Sequence, residues 1–188
     1  MTSVPFNGAS VSIADLPTQP GHTRTYHFDL IAGDDLATEA MRVNEGDIVP
    51  ADITAQSMPD GVLLQVSAQV NCTGVCVRCL DPVTLSFPVE VKEMFFTPEV
   101  IARMRKEEGD EAVEDLPVLD SNTIELEPLL RDAIVTQFPF TPLCSPDCDG
   151  LCDVCGEKWQ DLPEDHEHEV IDPRFAKLAG FFSEEKDE

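Results

Sequence analysis

Four cysteines stand within twelve residues, spaced Cys144-x3-Cys148-x3-Cys152-x2-Cys155, and a close pair, Cys76-x2-Cys79, lies far upstream. Six of the seven cysteines are thus held at spacings that let several sulfurs point at one centre. A divalent metal needs that convergence and a hydrophobic core does not. Soft thiolates select zinc, and a tetrahedron of four thiolates leaves no open position for water, so the expected cofactor is a structural zinc ion with no chemistry of its own. Thiolates must shed protons to bind, which couples metal uptake to pH and to folding. Gly150 and Gly156 suit tight turns around such an ion, because glycine accepts a positive φ without strain.

Two other uses of close cysteines fit less well. Disulfide frameworks belong to secreted chains, whereas the first twenty residues contain neither Lys nor Arg and no apolar run, and seven is an odd number of cysteines. A redox Cys-x-x-Cys usually sits where a strand feeds a helix, in a positive environment that lowers the thiol pKa. Here Cys152–Cys155 is set among Asp147, Asp149 and Asp153, which are expected to raise its thiol pKa.

The spacing leaves open which sulfurs share an ion. In a local reading Cys144, Cys148, Cys152 and Cys155 close one site. In a long-range reading Cys76 and Cys79 join two sulfurs of the second cluster and staple two distant parts of the chain together. The remaining two cysteines are then spare, or complete a further site with His166 or His168. The long-range reading is preferred, because it gives Cys76 and Cys79 a role that the local one leaves unexplained. Cys72 falls on the apolar face of a strand and reads as a core residue. His166 and His168 read as part of a solvated acidic tail rather than a weak metal site. Arg78 is expected to pair with a carboxylate, and Trp159 to pack over the metal loop rather than to stack on bases.

These residues need elements to position them. After the turn Pro59-Asp60-Gly61, residues Val62, Leu64, Val66, Ala68, Val70 and Cys72 alternate with mostly polar neighbours, and Val83, Leu85, Phe87, Val89 and Val91 do so again. This predicts a long, central hairpin over 62–96 with Cys76 and Cys79 at its turn. Pro88 cannot donate to a ladder and marks the returning strand as an edge or a bulge. Strands are also expected at 26–30 and 48–57, and a short helix at 34–41. A helix over about 127–138 has Pro128 in its first turn, Glu127 as its cap, and an apolar face of Leu129, Leu130, Ala133, Ile134 and Phe138; Pro139 ends it and the cysteine loop follows. The chain is expected to be a single α+β domain over 1–188: an antiparallel sheet or small β-barrel carrying the packed helix and a Cys-rich zinc loop. Its parts are a polar arm (1–24), a mainly β region (25–96), an acidic mobile loop with one helical turn near 100–106 (97–123), the helix and four-cysteine loop (124–160), and an acidic tail (161–188).

Net charge is −25 in 188 residues, with only twelve Lys and Arg. A broad phosphate-binding surface needs clustered basic residues, so direct nucleic-acid binding is disfavoured, while a basic partner or simple solubility is accommodated. The apolar runs are too short to cross a membrane, and a cytoplasmic location is expected. No pairing of His with Ser or Cys suggests a nucleophile, no GxxxxGK phosphate loop is present, and the carboxylates lie in loops of low apolar content, so no enzyme is expected.

The segments CVRCLDPV, LC-x3-C-DGLC-x2-CG and, near the end, DPR-x-A-x-L together resemble the YceD family of large ribosomal RNA subunit accumulation proteins, over roughly residues 60–96 and 124–178. The resemblance implies a bacterial cytoplasmic factor needed for normal accumulation or processing of large-subunit ribosomal RNA, with no catalytic residues. Its C-x-R-C element corresponds to Cys76, Arg78 and Cys79, which favours the long-range reading of the metal ligands. Set beside the charge, it implies ribosomal proteins or rRNA-processing factors as partners, ribosomal RNA reached indirectly, and neither a membrane nor a small-molecule substrate. The alternatives are a thiol-disulfide oxidoreductase and an acidic chaperone for a basic ribosomal protein.

Overall fold

The computed structural model describes residues 2–168. The two alternating segments form the longest strands, β6 (Gly61–Val75) and β7 (Pro82–Phe96), paired antiparallel along their whole length from Gly61↔Phe96 to Val75↔Pro82. Every second residue of β6 from Val62 to Cys72 is buried, as a strand with one face on a core requires. On the opposite edge of β6 lies β5 (Ile48–Met58), then β3 (Thr23–Ile31) and β1 (Thr2–Pro5); β4 (Met41–Arg42) pairs with Gly74 and Thr73 near the far end of β6. The six-stranded sheet stays open rather than closing into a barrel, and β7, with its Pro88, is an edge strand. A two-stranded sheet of β2 (Ser10–Ser12) and β8 (Thr123–Glu125) and two helices, α1 (Pro98–Glu108) and α2 (Glu127–Val135), complete an α+β fold. Leu126, Leu130 and Ile134 are fully buried, and Phe138 meets Phe87 of β7 edge-to-face at 6.2 Å. This fixes where the chain leaves α2, and so where the cysteine loop begins. No helix among the described residues is long and apolar enough to cross a membrane.

Several segments differ from expectation. Residues 2–24 are not a polar arm: β1 pairs parallel with β3, β2 pairs with β8, and Phe6, Val11, Ile13 and Leu16 enter the core. Residues 34–41 form turns rather than a helix, because Thr38 bonds locally to Met41 through backbone and hydroxyl, and Met41 joins the sheet. Gly74 permits that approach, since a Cβ there would lie 2.3 Å from the Ala40 carbonyl oxygen. The 97–123 segment holds an eleven-residue helix, α1, seated by buried Val100 and Ile101, with Glu99 in its first turn and Arg105 and Lys106 in its last, where each complements the helix dipole. Buried Val113 and backbone bonds between Phe96 and both Pro117 and Leu119 anchor the remainder. The residue capping α2 is Leu126 rather than Glu127; Glu127 lies in the first turn, accepts from the Gly8 N–H and pairs with Arg131 at 2.7 Å.

Candidate metal centre

The turn between β6 and β7 is a knuckle built on Cys76-Val77-Arg78-Cys79-Leu80. The Cys76 N–H donates to the Asp81 carbonyl at 2.7 Å, and the Leu80 N–H donates back to the Cys76 carbonyl at 3.0 Å. Closing that turn puts Leu80 at φ 62°, the left-handed region that costs a side chain energy. The chain leaving α2 is tied onto this knuckle by the Val77 N–H to the Pro142 carbonyl at 3.0 Å and by the Arg78 guanidinium to the Cys148 carbonyl at 2.7 Å. Arg78 therefore holds a backbone carbonyl, not the carboxylate expected of it.

That tie brings Cys144 and Cys148 to Cys76 and Cys79. The four sulfurs all lie within 4.8 Å of one another, with Cys79–Cys144 at 3.5 Å and Cys76–Cys148 at 3.8 Å. A tetrahedron with metal–sulfur bonds of about 2.3 Å has sulfurs about 3.8 Å apart, so the set fits a zinc-sized ion. Cys76, Cys79 and Cys148 are buried against Val83, Leu85, Leu143 and Leu151, a small satellite of the main core. Burial works against a charged Cys76 sulfur, yet the backbone N–H groups of Cys144, Cys79 and Arg78 outweigh it and draw Cys76 down to about 6. At Cys79 the Asp81 N–H favours the thiolate, but burial and the neighbouring thiols of Cys144, Cys76 and Cys148 push it up to about 12. Cys76 is thus drawn towards the thiolate, while Cys79 and Cys144 are pushed towards thiols whose protons a cation must displace.

Cys152 and Cys155 form a second knuckle on the same plan. The Cys152 N–H donates to the Glu157 carbonyl at 2.7 Å, the Gly156 N–H donates back to the Cys152 carbonyl at 2.8 Å, and Gly156 has φ 74°. Here the N–H groups of Cys155 and Val154 lower the Cys152 thiol against burial and the Asp153 charge, so the acidic setting does not raise it as the sequence suggested. The residues opposite are His166 and His168, whose ring nitrogens lie with both sulfurs inside 4.8 Å; Cys155 Sγ is 3.6 Å from His166 Nε2. Both histidines thus approach the second knuckle, His166 half-buried and His168 exposed. The Trp159 and His166 rings meet in a T-shaped arrangement with 5.6 Å between centroids. The local set Cys144, Cys148, Cys152 and Cys155 is not gathered at one point among the described residues. Cys72 is fully buried on its apolar strand face.

The two knuckles touch. Lys158 pairs with Asp81 at 2.6 Å, a contact the sequence did not signal except that both residues follow their knuckle's second cysteine within three positions. Gly150, at φ 84°, passes so close to Arg78 that a Cβ would sit 3.2 Å from its carbonyl oxygen. The DPR-x-A-x-L segment lies outside the described residues.

A family model described as "Large ribosomal RNA subunit accumulation protein YceD" matches residues 64–182. Uncharacterized proteins of Mycobacterium tuberculosis and Mycobacterium bovis are each 34% identical to this chain over 178 residues, covering 95% of it and 83% of their own length. The uncharacterized protein YlbN of Bacillus subtilis is 25% identical over 104 residues, 55% of this chain and 56% of its own. No solved structure matches the chain.

Proposed function

This chain belongs to the YceD family, and on that premise we propose that it is a non-catalytic cytoplasmic factor in large-subunit ribosome biogenesis, built around a structural zinc ion on Cys76, Cys79, Cys144 and Cys148. The family's description supports the ribosome-related part of this reading. The observation that carries the zinc part is the convergence of four sulfurs, three of them buried, from two segments more than sixty residues apart. Bound there, zinc supplies a closed tetrahedral cross-link between the hairpin turn and the chain leaving α2, with an apparent binding energy of about 10–16 kcal/mol expressed largely as folding energy.

Support for action through a protein partner comes from charge and surface. With 37 acidic residues against twelve basic ones, naked ribosomal RNA is repelled and a basic protein is attracted. On the outside of the first knuckle, Val75, Val77, Leu80 and Phe140 form an exposed apolar patch beside Glu39, and Phe140 is 93% exposed. A basic ribosomal protein or rRNA-processing factor that seats an apolar side chain there, with its Lys and Arg facing the acidic surround, fits both features. The low Cys76 pKa favours one rival, thiol–disulfide exchange, but a fully buried sulfur cannot reach a substrate disulfide.

A tagged pull-down at low salt, with and without nuclease, tests the partner. Recovery of basic ribosomal proteins that survives nuclease is expected. Tight, sequence-selective binding of the purified protein to bare ribosomal RNA at physiological salt would sink the indirect route. Turnover of a dithiol substrate that is lost in Cys76→Ser would establish the rival.

A further inference from the structure

We infer that Cys152, Cys155, His166 and His168 form a second metal site, separate from the four-thiolate centre, that takes a zinc-class divalent cation and exchanges it faster than the first. The inference does not rest on the ribosomal role.

The strongest ground is that the chain builds one cation-binding turn twice. In both knuckles the first cysteine's N–H donates to the carbonyl five residues on, at 2.7 Å, and the residue after the second cysteine donates back to the first cysteine's carbonyl. That residue is left-handed in both, φ 62° at Leu80 and 74° at Gly156. The turn directs backbone N–H groups at its first sulfur, which is what a thiolate ligand requires.

The second ground is what stands opposite. The Cys155–His166 separation of 3.6 Å is the sulfur–nitrogen distance of a tetrahedron with bonds of about 2.3 Å to sulfur and about 2.0–2.1 Å to nitrogen. His168 completes the set, its ring 4.4 Å from that of His166 at a near-perpendicular 89°, so both rings turn to one locus without stacking. A segment with Glu164, Asp165 and Glu167 has no reason to fold its two imidazoles over two sulfurs for solvation alone.

Exchange rate follows from exposure. The first centre buries three of its four ligands, whereas here Cys155 and His168 are exposed and His166 is half-buried. Water and competing chelators reach the ion from the open side. The ion would tie residues 161–168 to the knuckle, where the Trp159 indole flanks the site.

Trp159 is the chain's one tryptophan, which makes it a local reporter. The full chain, freed of metal under reducing conditions, is titrated with cobalt(II) and with zinc, following cobalt absorption, Trp159 fluorescence and total metal bound. Two equivalents are expected, one of them quenching Trp159 as cobalt and leaving first when a chelator is added. In a His166→Asn/His168→Asn double variant the stoichiometry should fall from two to one, with the quench lost and the all-thiolate cobalt spectrum kept. Both histidines lie in an outer segment, so that variant should fold; Cys155→Ser, also exposed, gives an independent check by the same readouts. Two equivalents retained in the double variant, a wild-type stoichiometry of one that vanishes in Cys76→Ser, or a Cys152–Cys155 disulfide persisting under reductant overturns the inference. A stoichiometry of one that vanishes in Cys76→Ser would leave the first centre standing, whereas one that survives Cys76→Ser would instead remove the first centre and keep the second.

Discussion

At Cys76–Cys79 and at Cys152–Cys155 the same backbone turn carries two cysteines, but the first is closed in by Val83, Leu85, Leu143 and Leu151 and lies at the end of the longest hairpin, while the second buries Cys152, leaves Cys155 exposed and has the Trp159 indole against the His166 ring opposite. The turn dictates what can be bound; the packing around it dictates whether the bound ion is part of the fold or an addition to it. An ion that joins β6 and β7 to the chain after α2 spans long-range structure, so losing it opens a large loop. An ion that joins Cys152 to His168 spans a short stretch, so losing it frees little. The two knuckles should therefore respond unequally to the same chemical insult.

The largest expected difference comes from removing a ligand. Cys76→Ser should abolish the tight zinc and lower the melting temperature by about 10 °C or more, the scale of losing several kcal/mol from a chain of this size. Cys155→Ser should release only the faster-exchanging metal and shift melting by a few degrees at most. Metal analysis and thermal melts of both variants, each with and without chelator, measure this. Equal destabilisation by both would mean that the knuckles are one cooperative unit.

Next in size is the contact between them. Gly150→Ala places a Cβ against Arg78 at a φ that disfavours any side chain, and should cost about 1–3 kcal/mol in denaturant unfolding. It should also weaken the Arg78–Cys148 bond, and with it the first centre more than the second. An unchanged unfolding midpoint would show that the knuckles are free to move apart.

The Asp81–Lys158 pair makes a finer distinction. Lys158 holds the Asp81 carboxyl below the usual carboxylate range, and Asp81 raises Lys158 in turn. A lowered carboxylate contributes stability above its unfolded value near about 3.9 and loses it as pH falls through the folded value; a raised ammonium contributes below about 10.4 and loses it as pH climbs through the folded value. Between about pH 5 and 9 the pair adds no slope. Any pH dependence of metal-loaded melting in that window comes from elsewhere, and Lys158→Met should leave the slope there unchanged while lowering the midpoint slightly.

What the sequence disclosed divides along the same physical line. The long hairpin was legible because alternation over Val62–Cys72 and Val83–Val91 is a local signal, and the cysteine sets because their spacing is local too. Strands β1 and β2 were not, since four and three residues carry too little periodicity and their partners lie twenty-six and about a hundred and ten residues away. Helix α1 was masked by its charged face, with only Val100 and Ile101 marking the buried side. The approach of His166 and His168 to Cys152 and Cys155 was not legible, because acidic neighbours are the usual mark of solvated chain and only the folded path brings the two pairs together.

The smallest effect bears most directly on function. At the one backbone position that both knuckles need left-handed, the second has glycine and the first has leucine. A non-glycine residue there costs roughly 1–2 kcal/mol, and Leu80 recovers little of it by packing, because 65% of it is exposed. Leu80→Gly should relieve that cost, offset by the greater freedom glycine has in the unfolded chain, for a net gain of up to about 1 kcal/mol. If the strain is kept for the sake of the apolar patch with Val75, Val77 and Phe140, the same variant should recover less of its basic partner in the pull-down, as should Phe140→Ala, which touches no strained backbone. Better stability together with poorer capture would separate the knuckle's two tasks, holding the fold on its inner side and meeting a partner on its outer one. Capture undiminished in both variants would move the partner's contact away from this knuckle.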